Sequence, residues 1–388
     1  MVIISAPGKV MLLGGYAVVE RNRVSLSCAI NKRCYAKVDT CENNYEIVST
    51  QFQTTVKLNE NLEVINGEAT KMQFIISALK TVTSYLKLKN ASVSYVRIET
   101  FSDSAFSVTG GKSGLGSSSA ITAATVAALC VHFGMDLTKD LEVIHKLAQF
   151  ANAHASGKVG SGYDIAVACL GSGAYARYNP ELITLSDVSC VDKKWDYTFE
   201  KTNLAHLFTI VMGNFIGDST DTREMVKLVN VQFKKEHPDK FSSLITHIDS
   251  EGRQCVFYLK QIEQIFKNNP IMFRRATLQP ENNELYRQFK KSFTATRKLT
   301  KELGTAANAQ IESDSATHLI EESEKHGAFV ARLPGAGGLD SIIALCTHDQ
   351  NATKLEQHWR NQNEYKLQVT RLPIANQALQ NENQLPTK

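Results

Sequence analysis

Apolar and polar positions along this chain change rhythm near its middle. Three β-branched, apolar runs open the sequence at residues 2–5, 11–19 and 25–38, each bounded by Gly, Pro or Asn, and they predict strands. From 71 to 89, Met72, Ile75, Ile76, Leu79, Val82 and Leu86 recur at three- and four-residue spacing, which predicts a helix with one buried face. Residues 93–99 alternate like a half-buried strand. Residues 117–133 read as an Ala/Val/Leu-rich helix stopped by Gly134, and 138–156 as a helix capped by Thr138. A glycine-broken stretch, 157–173, leads to a strand at 174–178. The irregular segment 179–201 marks the expected boundary between an N-terminal domain (1–200) and a C-terminal one (201–388). The second part starts with a strand at 207–212. Amphipathic helices at 222–235, 239–267, 282–303 and 314–326 follow, with Gly304 and Gly327 as C-caps. It closes as strand, glycine loop (333–339), strand, helix, strand, and the Asn/Gln-rich last residues are expected to fray.

Composition narrows the class. In 388 residues, 43% are hydrophobic and 21% charged, as in an ordinary globular protein with room for two cores. The formal net charge of +4 is scattered, which suits an anionic small substrate but gives no basic stripe for nucleic acid. Cys28, Cys34, Cys41, Cys130, Cys169, Cys190, Cys255 and Cys346 form no CxxC pair, so they read as reduced, mostly buried thiols and not as a zinc or disulfide framework. Pro7, Gly8 and Lys9 interrupt the first apolar run too early for a signal peptide, and the longest apolar run, 121–131, is too short for a bilayer. The C-terminal Leu-Pro-Thr-Lys matches no addressing tripeptide. A cytoplasmic protein is expected.

Three glycine loops carry the candidate chemistry. In Gly110-Gly111-Lys112-Ser113-Gly114-Leu115-Gly116-Ser117-Ser118-Ser119, glycines permit close approach of backbone amides to an anion. The serines open a helix, whose unpaired N–H groups and dipole favour phosphate. Lys112 adds a charge, and a first-turn hydroxyl suits Mg2+. A serine-capped turn explains the same residues equally well. A Walker A reading fails because Phe106 stands at its first glycine, and no GxGxxG follows a strand. The second loop, Ser5-Ala6-Pro7-Gly8-Lys9, lies between two strand-like runs ahead of Gly14-Gly15-Tyr16. The third, 157–164, ends in Asp164, which reads either as a helix cap or as a catalytic carboxylate.

In order and wording the loops resemble those of the GHMP kinases. SAPGKVMLLGGY (5–16), KSGLGSSSA (112–120) and LPGAGGLDS (333–341) are similar to that family's three motifs. Segment 157–178, GGY at 14–16, Lys112, and PGAGG followed by Asp340 are most similar to the family's eukaryotic phosphomevalonate kinase branch; 217–229 matches it more loosely. The resemblance implies an α+β GHMP fold. An N-terminal α/β domain of the ribosomal-protein-S5-domain-2 type, with a left-handed crossover against the usual rule, would join a ferredoxin-like α+β C-terminal domain.

It also implies an enzyme whose partners are ATP, Mg2+ and a phosphomevalonate acceptor. The triphosphate would lie on Gly114, Leu115, Gly116, Ser117, Ser118 and Ser119, with Ser118 on Mg2+ and Lys112 on the phosphates. Lys9 and Asp164 would face the transferred phosphoryl, with Tyr16, Ser161, Ser219, Thr220 and Gly337 toward the acceptor. Arg177 also matches the family, without an assigned role. Mevalonate kinases carry a glutamate metal ligand upstream of the aspartate, whereas residues 153–163 contain no carboxylate. Three alternatives stay open at the level of sequence: a family member acting on mevalonate or diphosphomevalonate, a silent ligand sensor on the same fold, and a scaffold with incidental glycine loops.

Overall fold

The computed structural model describes residues 1–108, 111–112, 114–217 and 221–386. Strands β1 (Val2–Leu13) and β2 (Val24–Thr40) make a long antiparallel ribbon, joined through a 3-10 turn at Gly15–Val19. β3 (Tyr45–Ser49), β4 (Thr54–Leu58), β5 (Val64–Asn66), α1 (Gln73–Leu88) and β6 (Val96–Ser102) follow, then a small hairpin of β7 (Ser107–Val108) and β8 (Gly111–Lys112). Helices α2 (Ser117–His132), α3 (Leu141–Ser156) and α4 (Tyr163–Leu170) precede β9 (Gly173–Ala176) and β10 (Thr198–Lys201). In space the strands run β10-β9-β2-β6-β3-β4-β5, with β1 along β2; among the described residues only β3 and β6 pair in parallel. Helix α2 is apolar on nearly every side because it packs on β1 and β2 as well as on α1 and α3. Its small residues, among them Ala123, Ala124, Ala127 and Ala128, are fully buried and let those neighbours come close.

The second half contributes β11 (Thr209–Phe215), α5 (Thr222–Lys227), a π-helical turn at Leu228–Phe233 and α6 (Lys234–Glu236). Helices α7 (Pro238–Asn268), α8 (Pro270–Leu278), α9 (Glu284–Ala306) and α10 (Asp314–Lys325) come next, followed by β12 (Val330–Arg332), β13 (Ser341–Cys346), α11 (Asp349–Asn361) and β14 (Leu367–Leu372). An antiparallel sheet, β12-β13-β11-β14, is contacted by α9, α10 and α11, and α7 packs against α9 and β2. One apolar cluster reaches from Leu12 and Leu26 in the first sheet to Phe208, Ile210 and Met212 in the second, so the two halves share a core.

Several expectations from the sequence are corrected. β1 is unbroken through Pro7-Gly8-Lys9, because a register shift between Pro7 and Gly8 accommodates the missing N–H; the second glycine loop is a bulged strand. Residues 15–19 wind as 3-10 and not as strand. Helix α3 is led by Asp140, not Thr138. Gly304 lies inside α9, where a Cβ would come within 2.7 Å of the Ala309 carbonyl oxygen. β3, β4 and β5 were missed as too short to show alternation. The tail is not frayed throughout: β15 (Gln380–Asn381) pairs with β1.

Candidate active site

The phosphate-binding argument depends on how α2 begins. Its N-cap is Gly116, left-handed at φ +75°, and no side chain caps it. The serine-cap reading therefore fails, and the first-turn N–H groups of residues 117–119 keep their capacity for an anion. The hydroxyls of Ser117 and Ser118 have no hydrogen-bond partner among the described residues, and Ser119 Oγ is buried without one. Beside this turn a cavity of about 210 Å3 is lined by Ser117, Ser118 and Ile121 on one side and by Gln51, Phe52 and Phe74 on the other. Nothing in the motif signalled these two phenylalanines, which come from segments with ordinary composition.

Lys9 reaches this turn from β1. Its backbone N–H donates to the Leu115 carbonyl at 2.8 Å, and its aliphatic stem crosses Gly116 so closely that a Cβ there would stand 2.8 Å from Lys9 Cε. The absence of a side chain at Gly116 thus serves two ends, the left-handed cap and the passage of the lysine. Lys9 Nζ donates to Tyr163 Oη at 3.0 Å and lies 5.1 Å from the centre of that ring. Burial by itself would depress the ammonium's pKa, but the Tyr163 oxygen and the Asp164 carboxylate outweigh it and leave Lys9 above its usual 10.5. Tyr163 escaped the sequence reading, since it lies 154 positions from its partner and outside every quoted role.

Asp164 stands in the first turn of α4, whose N-cap is Gly162; it is not the cap itself. Its Oδ1 accepts from the N–H of Ile165 at 3.1 Å. It acts on Lys9 electrostatically, without an ion pair within 4.0 Å among the described residues; the hydrogen bond belongs to Tyr163. Gln149 of α3 fixes this corner, donating to the Gly162 carbonyl at 2.7 Å and sharing a 3.0 Å contact with His145 Nε2. Burial drives His145 down to about 3, so its imidazole is neutral. Ser161 precedes the Gly162 cap, half-buried.

Arg177, which had no role in the sequence reading, proves to be a clamp. Its guanidinium donates to the Val19 carbonyl behind Gly14-Gly15-Tyr16 and to the Val159 carbonyl of the third glycine loop at 3.3 Å. The LPGAGG loop closes on the same region. Tyr16 Oη donates to the Ala336 carbonyl at 2.7 Å, and the Gly337 N–H donates to Pro334 within the loop at 3.1 Å. Gly337 sits at φ +78° where a Cβ would meet the Ile311 carbonyl oxygen at 2.4 Å. Tyr16 thus joins the halves, and Gly337 shapes the loop that receives it. Asp340 accepts from Thr222 Oγ1 at 3.1 Å. Ser219 and Thr220 lie outside the described residues, as does the side chain of Lys112, whose backbone pairs with Ser107.

The family model for the GHMP kinases N terminal domain matches residues 74–172, and that for GHMP kinases C terminal matches 287–364. The chain is 31% identical over 345 residues to a phosphomevalonate kinase of Saccharolobus solfataricus, covering 89% of this chain and 90% of that protein. It is 26% identical over an alignment of 480 residues to the peroxisomal phosphomevalonate kinase of Arabidopsis thaliana, covering 96% and 95%. Among solved structures, Streptococcus pneumoniae phosphomevalonate kinase in complex with phosphomevalonate and AMPPNP has the same fold. Its TM-score is 0.72 at 18% identity, over 96% of this chain and all of that one.

Proposed function

The chain belongs to the GHMP kinase family, and from that premise we propose that it transfers the terminal phosphoryl of ATP to the phosphate of (R)-5-phosphomevalonate, giving (R)-5-diphosphomevalonate in the mevalonate route to isoprenoids. The observation that carries the reading is the meeting of Lys9 with the open first turn of α2, an ammonium held beside a backbone cradle for phosphate. The relatives' names supply the acceptor.

In this reading the cavity beside Phe52 and Phe74 takes the nucleoside, and the triphosphate runs over residues 114–119. No group of three His, Cys, Asp or Glu side chains fit to hold a metal exists among the described residues. The partner-free Ser118 hydroxyl fits a hard cation that keeps most of its ligands as phosphate oxygens and water. Bound there, Mg2+ would neutralise charge. Bringing a dianionic acceptor against a triphosphate is chiefly a problem of repulsion and alignment, because a phosphate monoester needs little deprotonation near neutral pH. Lys9, with Lys112, is therefore assigned the dominant part, and Asp164 a supporting one. Ser161, Ser219 and Thr220 are assigned to the acceptor. Tyr16 and Gly337 shape that side of the cleft through the contacts they already make.

No helix among the described residues is long and apolar enough to cross a membrane. We place the enzyme in the cytoplasm, which fractionation of its source cells would test. ATP turnover compared across mevalonate, phosphomevalonate and diphosphomevalonate tests the function. Phosphomevalonate should be preferred, and preference for mevalonate, or release of carbon dioxide from diphosphomevalonate, would overturn it.

A further inference from the structure

The LPGAGG loop adjoins a buried cluster of charge that phosphoryl transfer, as assigned above, does not use. Arg297 of α9, Glu312 and Arg332 at the end of β12 are all buried there. Arg297 grips Glu312 with its Nε 3.1 Å from both carboxylate oxygens, and Thr317 Oγ1 donates to the same carboxylate at 2.8 Å. Arg332 has no carboxylate within 4.0 Å among the described residues. Its guanidinium donates weakly to the Leu333 carbonyl at 3.4 Å and to Thr296 Oγ1 at 3.3 Å, and it lies 5.7 Å from the centre of the Phe293 ring.

Two cations thus share one buried acid. Glu321 also reaches Arg297, at 3.9 Å, but its side chain is largely exposed and water screens it. Burial raises the nearby Cys255 thiol and keeps it neutral. Burial, partly offset by Glu312, takes the Arg332 pKa down to about 10, so the guanidinium is still charged at neutral pH. A surplus cation in a core costs stability, and an apolar side chain of similar size commonly serves packing better. The charge therefore calls for a use other than packing.

Its position supplies one. Leu333, whose carbonyl Arg332 meets, opens the loop, and the Gly338 N–H closes it on the carbonyl of Ile311, beside Glu312, at 2.8 Å. From Leu333 to Gly337 the chain spans at most about 14 Å. On α9, Thr296 stands one turn before Thr300, and a Cβ on Gly15 would lie 4.0 Å from Thr300 Cγ2 and 3.5 Å from the Gly335 carbonyl oxygen. The surplus charge thus lies behind the surface made by Gly15, Tyr16 and Gly337. Asp340, the acid that follows the loop, is exposed.

We propose that Arg332, its charge left in surplus by the Arg297–Glu312 pair, determines specificity on the acceptor side, favouring an acceptor that bears a phosphate over the same acceptor without one. The inference rests on the reading that puts the acceptor beside Tyr16 and Gly337. The charge acts through the core, where salt screens it little, and touches no ligand.

The test is calorimetric binding of phosphomevalonate and of mevalonate to the full chain and its variants with AMPPNP bound, with the melting temperature of each. Arg332→Met should cut the ratio of the two affinities at least about fivefold, the effect of a unit charge within about 18 Å at an effective dielectric of about 20. Its melting temperature should hold or rise. Glu312→Gln adds to the surplus, so it should raise the ratio while lowering the melting temperature. If Arg332→Met does not fold, the direction of the Glu312→Gln shift decides alone. Equal weakening of both acceptors, or ratios that move the same way in both variants, would overturn the proposal and mark the cluster as structural. An unsubstituted chain that binds mevalonate better, yet shows the two opposed shifts, would refute the acceptor reading and keep this inference. Binding of neither acceptor would overturn both.

Discussion

Lys9 shows what a single residue does when two others set its charge. Its pKa is raised in the fold, so the stabilisation from its pairing is complete below the unfolded value of 10.5 and is lost only as pH rises through the folded one. The ammonium is thus fully charged through neutral pH, and no alkaline limb of kcat below about pH 10 should arise from it. Lys9→Met should lower kcat by about 10²–10³-fold, the range for removing one preorganised electrostatic contact, with AMPPNP binding largely retained. Tyr163→Phe, which removes the hydrogen bond but keeps the ring, should cost up to about tenfold. Asp164→Asn should cost less than Lys9→Met, because a dianionic acceptor needs no strong base. The reverse order, read from single-turnover rates, would sink that ranking and make Asp164 the general base. Sequence motifs pointed to Lys9 and Asp164 because each sits in a punctuated segment. Tyr163 was invisible because its role depends on a contact between β1 and α4 that no local pattern encodes.

At the scale of elements, the start of α2 is where backbone and side chain constrain one another. Gly114 and Gly116 are both left-handed, at φ +68° and +75°, so alanine at either costs about 1–2 kcal/mol of strain. They differ in surroundings: among the described residues a Cβ at Gly114 meets only Met212 Cε at 3.6 Å, whereas one at Gly116 collides with the Lys9 stem. Similar losses in melting temperature are expected for Gly114→Ala and Gly116→Ala, with a large fall in kcat only for the second. Equal effects on kcat would mean that the lysine does not depend on that passage. A second element-scale prediction concerns α3. His145 is neutral in the fold with a value near 3, so the unfolded chain binds the extra proton as pH drops below 6.5. Stability from this residue is complete above 6.5 and is lost toward 3. His145→Leu should therefore flatten the decline of melting temperature between about pH 6.5 and 4, and an unchanged slope would place the acid sensitivity elsewhere. Long periodic helices such as α1, α2 and α7 were legible in the sequence. β1 was read as two pieces because proline and glycine usually break a strand, and here a bulge absorbs them.

For the molecule as a whole, the strand that carries Lys9 is held from the far end of the chain. β15 pairs with β1 at Ile4–Asn381 and Ser5–Gln380, and Ile30 bridges to Ile374. Arg33, 4% exposed, is the knot. Its guanidinium donates to Ser5 Oγ at 2.7 Å and to the carbonyls of Gln377 and Ala378, while Ser5 Oγ donates to Glu382 at 2.6 Å. Burial depresses the Arg33 pKa and Glu382 partly restores it, so the charge depends on the tail for its compensation. Nothing local foretells this closure; the tail's polar composition suggested fraying, and only the buried arginine gives it a destination. Removal of residues 374–388 should strip that cation of Glu382 and of the Gln377 and Ala378 carbonyls, leaving it the Ser5 oxygens alone, at a cost of about 3–5 kcal/mol. The urea midpoint should fall accordingly. Arg33→Met in the shortened chain should recover part of the loss, because it removes the uncompensated charge, whereas in the full chain the same change should destabilise. If Arg33→Met is equally harmful in both backgrounds, the two are uncoupled, and the tail holds β1 by backbone pairing alone.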